Sequence, residues 1–414
     1  MKWLRIVKTP EKLSGFVRLQ ASKSISNRAL IIQALCSEKF PIHNLSMADD
    51  TLLLKAILES DEEELYIKNA GTAMRFLTAY FAQKPGDIYL SGSQRMHERP
   101  ISPLVDALRK LGAQIEYTGK ENYPPLHITG TKLSGGEIGL SASQSSQFAS
   151  AILLIAPTLS STLKIVLEGE IVSAPYLDLT LKMLSYFGIK YSRDRNSIYI
   201  EPQKYLAKPF QVENDWSSAS YWYALATVLQ ESQIDFHNLF EDSYQGDSIL
   251  QKFMQHFWIE TTFGSTVCTI SNYSENAKQT IFEADFIDYP DLIPTFITLC
   301  CAKQIPFNIT GTKTLKYKES HRAEVLKTEL AKLGFEIEIT ENSLSCKSYN
   351  QSIFPQDEIW MKTYDDHRMA MSWSVLASQH SNIWIENPDC VEKSYPGFWS
   401  VMQEKEFIFE TKEI

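Results

Sequence analysis

Polar and apolar positions along this chain follow a coarse, recurring plan. Six times a short polar or charged cluster is followed at once by an apolar run with helical spacing. The clusters read Ser22-Lys23-Ser24-Ile25-Ser26-Asn27-Arg28, Asn69-Ala70-Gly71-Thr72-Ala73-Met74-Arg75, Ser143-Gln144-Ser145-Ser146-Gln147, Asp215-Trp216-Ser217-Ser218, Asp288-Tyr289-Pro290-Asp291 and Tyr364-Asp365-Asp366-His367-Arg368. With Lys23, Gly71, Ser146, Ser217, Asp291 and His367 as markers, the spacings are about 48, 75, 71, 74 and 76 residues. A fixed period of this kind signals a repeated supersecondary unit. Each unit is predicted to place its polar cluster at a helix N-terminus. Such an end presents unpaired backbone N–H groups and a positive dipole end, which suit anions.

A second repeat runs beside the first. Leu108-Arg109-Lys110-Leu111-Gly112-Ala113-Gln114-Ile115 resembles Leu330-Ala331-Lys332-Leu333-Gly334-Phe335-Glu336-Ile337. Leu181 to Leu184 leads to Gly188-Ile189-Lys190-Tyr191, and Leu250 to Phe253 leads to Trp258-Ile259-Glu260. Each reads as a helix end, with a glycine C-cap in three of the four, and then a strand. A unit therefore holds two helices and several strands. Six units divide into two groups of three, with the main boundary near Asn214-Asp215-Trp216, where no Gly/Ser linker stands. The first unit is about 25 residues short, and its acidic stretch Asp61 to Glu64 stands where a hairpin is expected.

Bulk properties narrow the class. At 414 residues the chain exceeds one ordinary core, so two domains are expected. With 44% hydrophobic and 22% charged residues it reads as a soluble globular protein. The longest apolar stretch, Ala149 to Leu159, is far short of the roughly 20 residues that span a bilayer, so no membrane partner is expected. The N-terminus carries charges and no apolar segment of the signal-peptide kind. The cysteines at 36, 268, 300, 301, 346 and 390 form no CxxC pair, which suits reduced thiols in the cytoplasm. A net charge of −10 argues against a nucleic-acid binder. An acidic body with cations gathered at helix starts points instead to a small anionic ligand.

The junctions offer different chemistry. Lys23, Ser24 and Arg28 can surround one phosphate or carboxylate, or be a capping serine with exposed cations. Gly71 would let a ligand approach the backbone, with Arg75 one turn on, or Thr72 merely caps the helix. Arg95 and Arg99 stand in a loop before a helix. Ser145, Ser146 and Gln147 suit a polyol or its phosphate, or cap a helix. Asp291 is either a helix-start charge or a general base. Glu319 and Arg322 fall at i, i+3 on one helical face, as a surface ion pair or as an acid beside an anion-binding arginine. Asp365-Asp366-His367-Arg368 invites a metal reading, but no second ligand stands at metal spacing, so an anion site through Arg368 is preferred. Lys393 is a loop cation. Absence of GxGxxG, GxxxxGK[ST] and GxSxG leaves dinucleotide, P-loop and serine-hydrolase chemistry without support.

Taken in order, SKSISNRAL, NAGTAMR, RMHERP, SSQF, the SxxY of Ser173 to Tyr176, KESHR and DDHRMAM resemble the 5-enolpyruvylshikimate-3-phosphate (EPSP) synthase family of enolpyruvyl transferases, from about Ser22 to Phe398. The resemblance implies an α/β fold: a two-domain inside-out α/β barrel, each domain three βαβαββ repeats with the first repeat shortened, and a cleft that closes on substrate. It implies that residues 21–214 form the N-terminal domain on the shikimate 3-phosphate side. Residues 1–20 plus 215–414 would form the C-terminal domain, carrying the acid and base and part of the phosphoenolpyruvate site. The implied reaction moves the enolpyruvyl group of phosphoenolpyruvate to the 5-hydroxyl of shikimate 3-phosphate through a tetrahedral adduct, releasing phosphate. Such chemistry needs paired acid/base groups amid cations.

Carried over residue by residue, the resemblance implies Asp291 as base and Glu319 as acid, with Lys23 assisting. Phosphoenolpyruvate is expected at Lys23, Gly71, Arg95, Gln147, Arg322, Arg368 and Lys393. Shikimate 3-phosphate is expected at Lys23, Ser24, Arg28, Ser145, Ser146, Gln147, Ser173, Asp291 and Lys318, with Tyr176 nearby. No metal or organic cofactor is implied; glyphosate is the expected inhibitor and a monomer the expected state. The chain departs from the family pattern at Gln20-Ala21 (usually Pro-Gly), Phe76 (often proline), Thr314 (often a ring-binding asparagine) and Asp365 (commonly asparagine). The related UDP-N-acetylglucosamine enolpyruvyl transferases carry a Lys-Asn pair and a loop cysteine. Here the pair is Lys23-Ser24, and no cysteine lies between Cys36 and Cys268. Asp291, Glu319 and Lys23 are all present, which argues against a non-catalytic relative.

Overall fold

One strand connectivity recurs in five four-stranded sheets of the computed structural model, which describes residues 1–141, 145–229, 231–272, 281–347 and 357–414. Phe282–Asp285 pairs in parallel with Phe307–Thr310, which pairs antiparallel with Ser343–Cys346, which pairs antiparallel with Glu338–Ile339. A parallel pair needs a crossover, and helix Ile293–Lys303 supplies it. Helix Arg322–Ala331 leads into the final hairpin. The result is a βαβαββ unit. Sheets built on Glu64–Tyr66, Gly136–Ser141 and Ser14–Phe16 follow the same order. In the fifth, Lys2–Lys8 takes the place of the last strand, beside Ile383–Glu386 and Ile408–Glu413.

The sixth sheet has only two strands, Ile42–His43 and Phe210–Gln211, in parallel. This is the unit whose sequence is short, and its hairpin is missing. Helices Lys23–Leu35 and Asp49–Leu58 remain.

The described chain divides into two compact units, residues 21–212 and residues 1–20 with 213–414. The first twenty residues give strands to two sheets of the larger unit before the chain leaves it at Ala21 and returns at Glu213. That unit holds three four-stranded sheets, and the other holds two plus the two-stranded one. In the larger unit, helices Trp216–Val228, Ile293–Lys303 and His367–Ala377 pack together with buried Trp216, Trp222, Phe296 and Trp373. All three helices are apolar around most of their circumference, as a helix buried on every side requires.

All six polar clusters lie at helix starts: the helices begin at Lys23, Gly71, Ser146, Trp216, Ile293 and His367. Ser22, Ser145, Asp215 and Asp366 cap their helices with side-chain oxygens, whereas Ala70 and Leu292 give no such cap. Ser143 and Gln144 of the third cluster lie outside the described residues. Gly112, Gly188 and Gly334 follow their helices with φ of +101°, +85° and +83°, the left-handed conformation that glycine adopts without penalty. In the fourth repeat Trp258 itself takes that conformation, at φ +55°. Among the described residues, no helix is long and apolar enough to cross a membrane.

Candidate active site

In the larger unit, Asp291 stands in the turn before helix Ile293–Lys303. Lys318 Nζ at 3.1 Å and Arg322 Nη1 at 2.9 Å donate to its Oδ1, and Arg368 Nη2 donates to Oδ2 at 2.9 Å. Arg322, 1% exposed at its side chain, joins three carboxylates. Besides Asp291 it reaches Glu319 Oε2 at 2.9 Å, and its Nε donates to Asp366 Oδ2 at 2.8 Å. Asp366 also caps helix His367–Ala377 by accepting from Arg368 N, and accepts from the Ser320 hydroxyl. One buried carboxylate thus aims the arginine and starts the helix that carries Arg368.

These contacts revise one sequence reading. Glu319 and Arg322 do not share a helical face: the helix begins at Arg322, and Glu319 lies in the bend before it. The pair forms because the KESHR segment curves, bringing the carboxylate back to the guanidinium. Lys393 also sits elsewhere than in a loop, as the last residue of the helical turn Pro388–Lys393.

The charges set the proton affinities. Burial pushes the Asp291 carboxyl up, but Arg368, Lys318 and Arg322 outweigh it and hold it well below the usual carboxylate range. Burial lowers the pKa of Arg322, but Asp366, Glu319 and Asp291 more than restore it. The Tyr221 phenol, which accepts from Arg368 Nη1 at 3.5 Å, is pushed up to about 12 by burial.

In the smaller unit, Lys23 is the first residue of its helix, and its Nζ lies 2.9 Å from Asp50 Oδ2 at the start of the next helix. Arg28, 2% exposed, is no solvated cation. It donates to Thr180 Oγ1 at 2.7 Å, to the Ser24 carbonyl at 2.9 Å, to Ser150 Oγ at 3.1 Å and to the Tyr176 carbonyl at 3.2 Å. Among the described residues no carboxylate pairs with it, and burial lowers its pKa to about 10. Phe76 lies beneath it, ring centroid 5.3 Å from Cζ. A buried cation with only neutral partners is suited to an anionic ligand.

The remaining residues of this unit fall near helix starts. Gln147 Nε2 donates to Thr72 Oγ1 at 3.2 Å, and Gln147 N donates to Ser145 Oγ, with Ser146 opening the helix between them. Ser173, in the left-handed region at φ +57°, precedes helix Ala174–Tyr186. Arg95 pairs with Glu98 at 2.9 Å. At Gly71 a side chain packs close to the backbone: a Cβ there would meet the Arg99 guanidinium at 2.5 Å. Arg75 Nη1 donates to the Gly71 carbonyl at 3.2 Å.

Sequence reasoning missed Asp50 and the role of Asp366 as a hub. Asp50 carried a signal, an acidic pair opening a polar-to-apolar helix pattern; Asp366 is joined to Arg322 only by tertiary contacts. Thr314 Oγ1 is buried without a hydrogen-bond partner among the described residues. No group of three metal-ligating side chains occurs among the described residues.

The chain matches the family model of EPSP synthase (3-phosphoshikimate 1-carboxyvinyltransferase) over residues 7–60 and 54–402. The chain belongs to the EPSP synthase family. A 3-phosphoshikimate 1-carboxyvinyltransferase of Bacteroides fragilis is 42% identical over 403 residues, covering 97% of this chain and 98% of that protein. One of Photobacterium damsela subsp. piscicida is 34% identical over 421 residues, covering 95% and 97%. A solved EPSP synthase structure from Acinetobacter baumannii shares the fold, with a TM-score of 0.79 at 19% identity over the whole of both chains.

Proposed function

We infer that this chain transfers the enolpyruvyl group of phosphoenolpyruvate to the 5-hydroxyl of shikimate 3-phosphate, giving 5-enolpyruvylshikimate 3-phosphate and phosphate in the shikimate pathway. The observation that carries the reading is the joining of Asp291 and Glu319 through Arg322, beside Lys318 and Arg368, in a member of this family.

In the addition step Asp291 takes the 5-hydroxyl proton while Glu319 delivers one to the methylene carbon of phosphoenolpyruvate, and the oxygen bonds to the central carbon. In the elimination step a methyl proton returns to Glu319, the double bond re-forms and phosphate leaves with the proton held by Asp291. Lys23 assists at the reacting centre. Arg322 and Arg368 present guanidinium forks to the phosphoenolpyruvate anion, and Lys393, Gly71, Arg95 and Gln147 are its other contacts. As those arginines turn part of their charge to the anion, Asp291 loses stabilisation of its charged form and gains proton affinity. Shikimate 3-phosphate meets Lys23, Ser24, Arg28, Ser145, Ser146, Gln147, Ser173, Asp291 and Lys318. Its negative charge compensates the buried Arg28.

The same reading makes each unit an inside-out α/β barrel of three repeats, supported by the recurring strand order. It makes the enzyme cytoplasmic, with which six free cysteines agree, a monomer, and a target of glyphosate competing with phosphoenolpyruvate. The test is phosphate release with both substrates and with each omitted in turn. Release that needs both supports the assignment; release without shikimate 3-phosphate sinks it. A glyphosate dose–response curve with no inhibition refutes the inhibitor reading alone.

A further inference from the structure

Arg28 joins three helices of the smaller unit, and its hydrogen-bond partners among the described residues are all neutral. They take four of its five N–H groups and leave one, on Nη1. Nη1 donates to the Ser24 carbonyl in its own helix, and Nη2 donates to Ser150 Oγ in helix Ser146–Ile155. Nε donates to Thr180 Oγ1, and Nη2 also to the Tyr176 carbonyl, both in helix Ala174–Tyr186. Ser24, Ser146 and Ser173, which the proposed function sets against shikimate 3-phosphate, stand at the starts of these same helices. Thr180 and Ser150 are fully buried. The Thr180 hydroxyl donates to Ser150 Oγ or to the Tyr176 carbonyl, each at 2.9 Å, so the two hydroxyls and the guanidinium form one linked set. Hydroxyl oxygens orient a guanidinium without neutralising it. Arg322 spends its charge on three carboxylates, whereas Arg28 keeps its own for an incoming anion.

We propose that Thr180, with Ser150 behind it, is a positioning residue for substrate binding: the hydroxyl pair turns the Arg28 guanidinium so that its remaining N–H and its uncompensated charge meet shikimate 3-phosphate. The proposal rests on Arg28 contacting that substrate. Thr180 touches neither substrate and acts through the arginine. Without its hydroxyl, Nε is buried with no acceptor, and the guanidinium turns toward other partners. The loss falls on shikimate 3-phosphate, because the residues set against phosphoenolpyruvate do not include Arg28.

The experiment measures kcat and the KM of each substrate by phosphate release for the wild type, Thr180→Val, Thr180→Ser, Ser150→Ala and Arg28→Gln. Thr180→Val keeps the shape and removes the hydroxyl; KM for shikimate 3-phosphate is expected to rise about tenfold, with kcat and KM for phosphoenolpyruvate little changed. Thr180→Ser restores the acceptor and should recover most of that loss. Ser150→Ala should raise the same KM by about threefold, and it carries the test if Thr180→Val fails to fold. An unchanged KM for shikimate 3-phosphate in Thr180→Val, or in Ser150→Ala where that variant carries the test, overturns the proposal and leaves the contact of Arg28 with substrate standing. Equal rises for both substrates, or a Thr180→Ser variant no better than Thr180→Val, overturn it likewise. An unchanged KM for shikimate 3-phosphate in Arg28→Gln overturns the Arg28 contact and this proposal with it.

Discussion

Arg368 Nη2 donates to Asp291 Oδ2 at 2.9 Å, on the opposite carboxylate oxygen from Arg322 and Lys318. Both oxygens of the proposed base are therefore held by cations, which keeps it ionised and orients it. Asp291→Asn keeps the shape and removes the proton acceptor. Turnover should fall by about 10²- to 10⁴-fold, the usual worth of one acid–base group. Circular dichroism should still report a folded chain. Phosphate release at the wild-type rate removes Asp291 from the mechanism.

Glu319 is tied to the same arginine from the bend before its helix. Glu319→Ala is expected to lower kcat by orders of magnitude while the fold survives, because the side chain lies outside the packed core. Exchange of solvent deuterium into the methylene group of phosphoenolpyruvate, by way of the adduct's methyl group, should be lost with it. Wild-type-like phosphate release from this variant would falsify the acid assignment.

Arg322 serves three buried or half-buried carboxylates. Arg322→Ala leaves Asp366 buried and stripped of its main counter-charge, at a cost of about 3–5 kcal/mol. Arg322→Lys keeps the charge but loses the fork, so it should recover much of the stability and little of the activity. Urea midpoints of the two variants, set beside their turnover, separate these effects; equal midpoints contradict the hub role.

A methyl group on Gly71 would lie 2.5 Å from Arg99 Nη2. The obstacle is the end of a flexible side chain, so Gly71→Ala should fold with near-normal stability and displace that guanidinium. With Gly71 in the proposed phosphoenolpyruvate site, KM for phosphoenolpyruvate should rise about tenfold or more, and KM for shikimate 3-phosphate should change far less. Equal rises in both would place Gly71 outside that site.

Stability should depend on pH in opposite senses through two carboxylates. Asp291, depressed in the fold, contributes stability that is present above the ordinary carboxylate value of 3.8 and is lost as pH falls below it. Asp247, raised to about 7, contributes stability that is present below 3.8 and is lost as pH climbs from there through about 7. Asp247→Asn should therefore leave the urea midpoint unchanged at about pH 4 and raise it at about pH 7.5. Asp291→Asn should destabilise most at neutral pH. An equal effect of Asp247→Asn at both pH values contradicts the linkage.

What could be read from the chain was local. The six helix starts, the glycines that follow three helices and the short first unit all depend on neighbours within a few residues, through capping, φ preference and side-chain period. Trp258 escaped that reading because it takes, at φ +55°, the left-handed conformation that glycine supplies in the other three units. The motifs named a family, and with it a list of charged residues.

Their physical condition was decided by the tertiary structure. Arg28 could be a solvated cation or a buried one; Thr180 and Ser150, distant in sequence, bury it. Asp247 and Asp291 are the same amino acid, each near a helical turn. One takes a proton near neutrality and the other stays charged, because burial raises both but Lys318 and Arg322 join Arg368 in opposing it only at Asp291. Residue types and their period are properties of the sequence by itself. Proton affinity depends on burial and on the charges a few ångströms away, which long-range folding alone brings together.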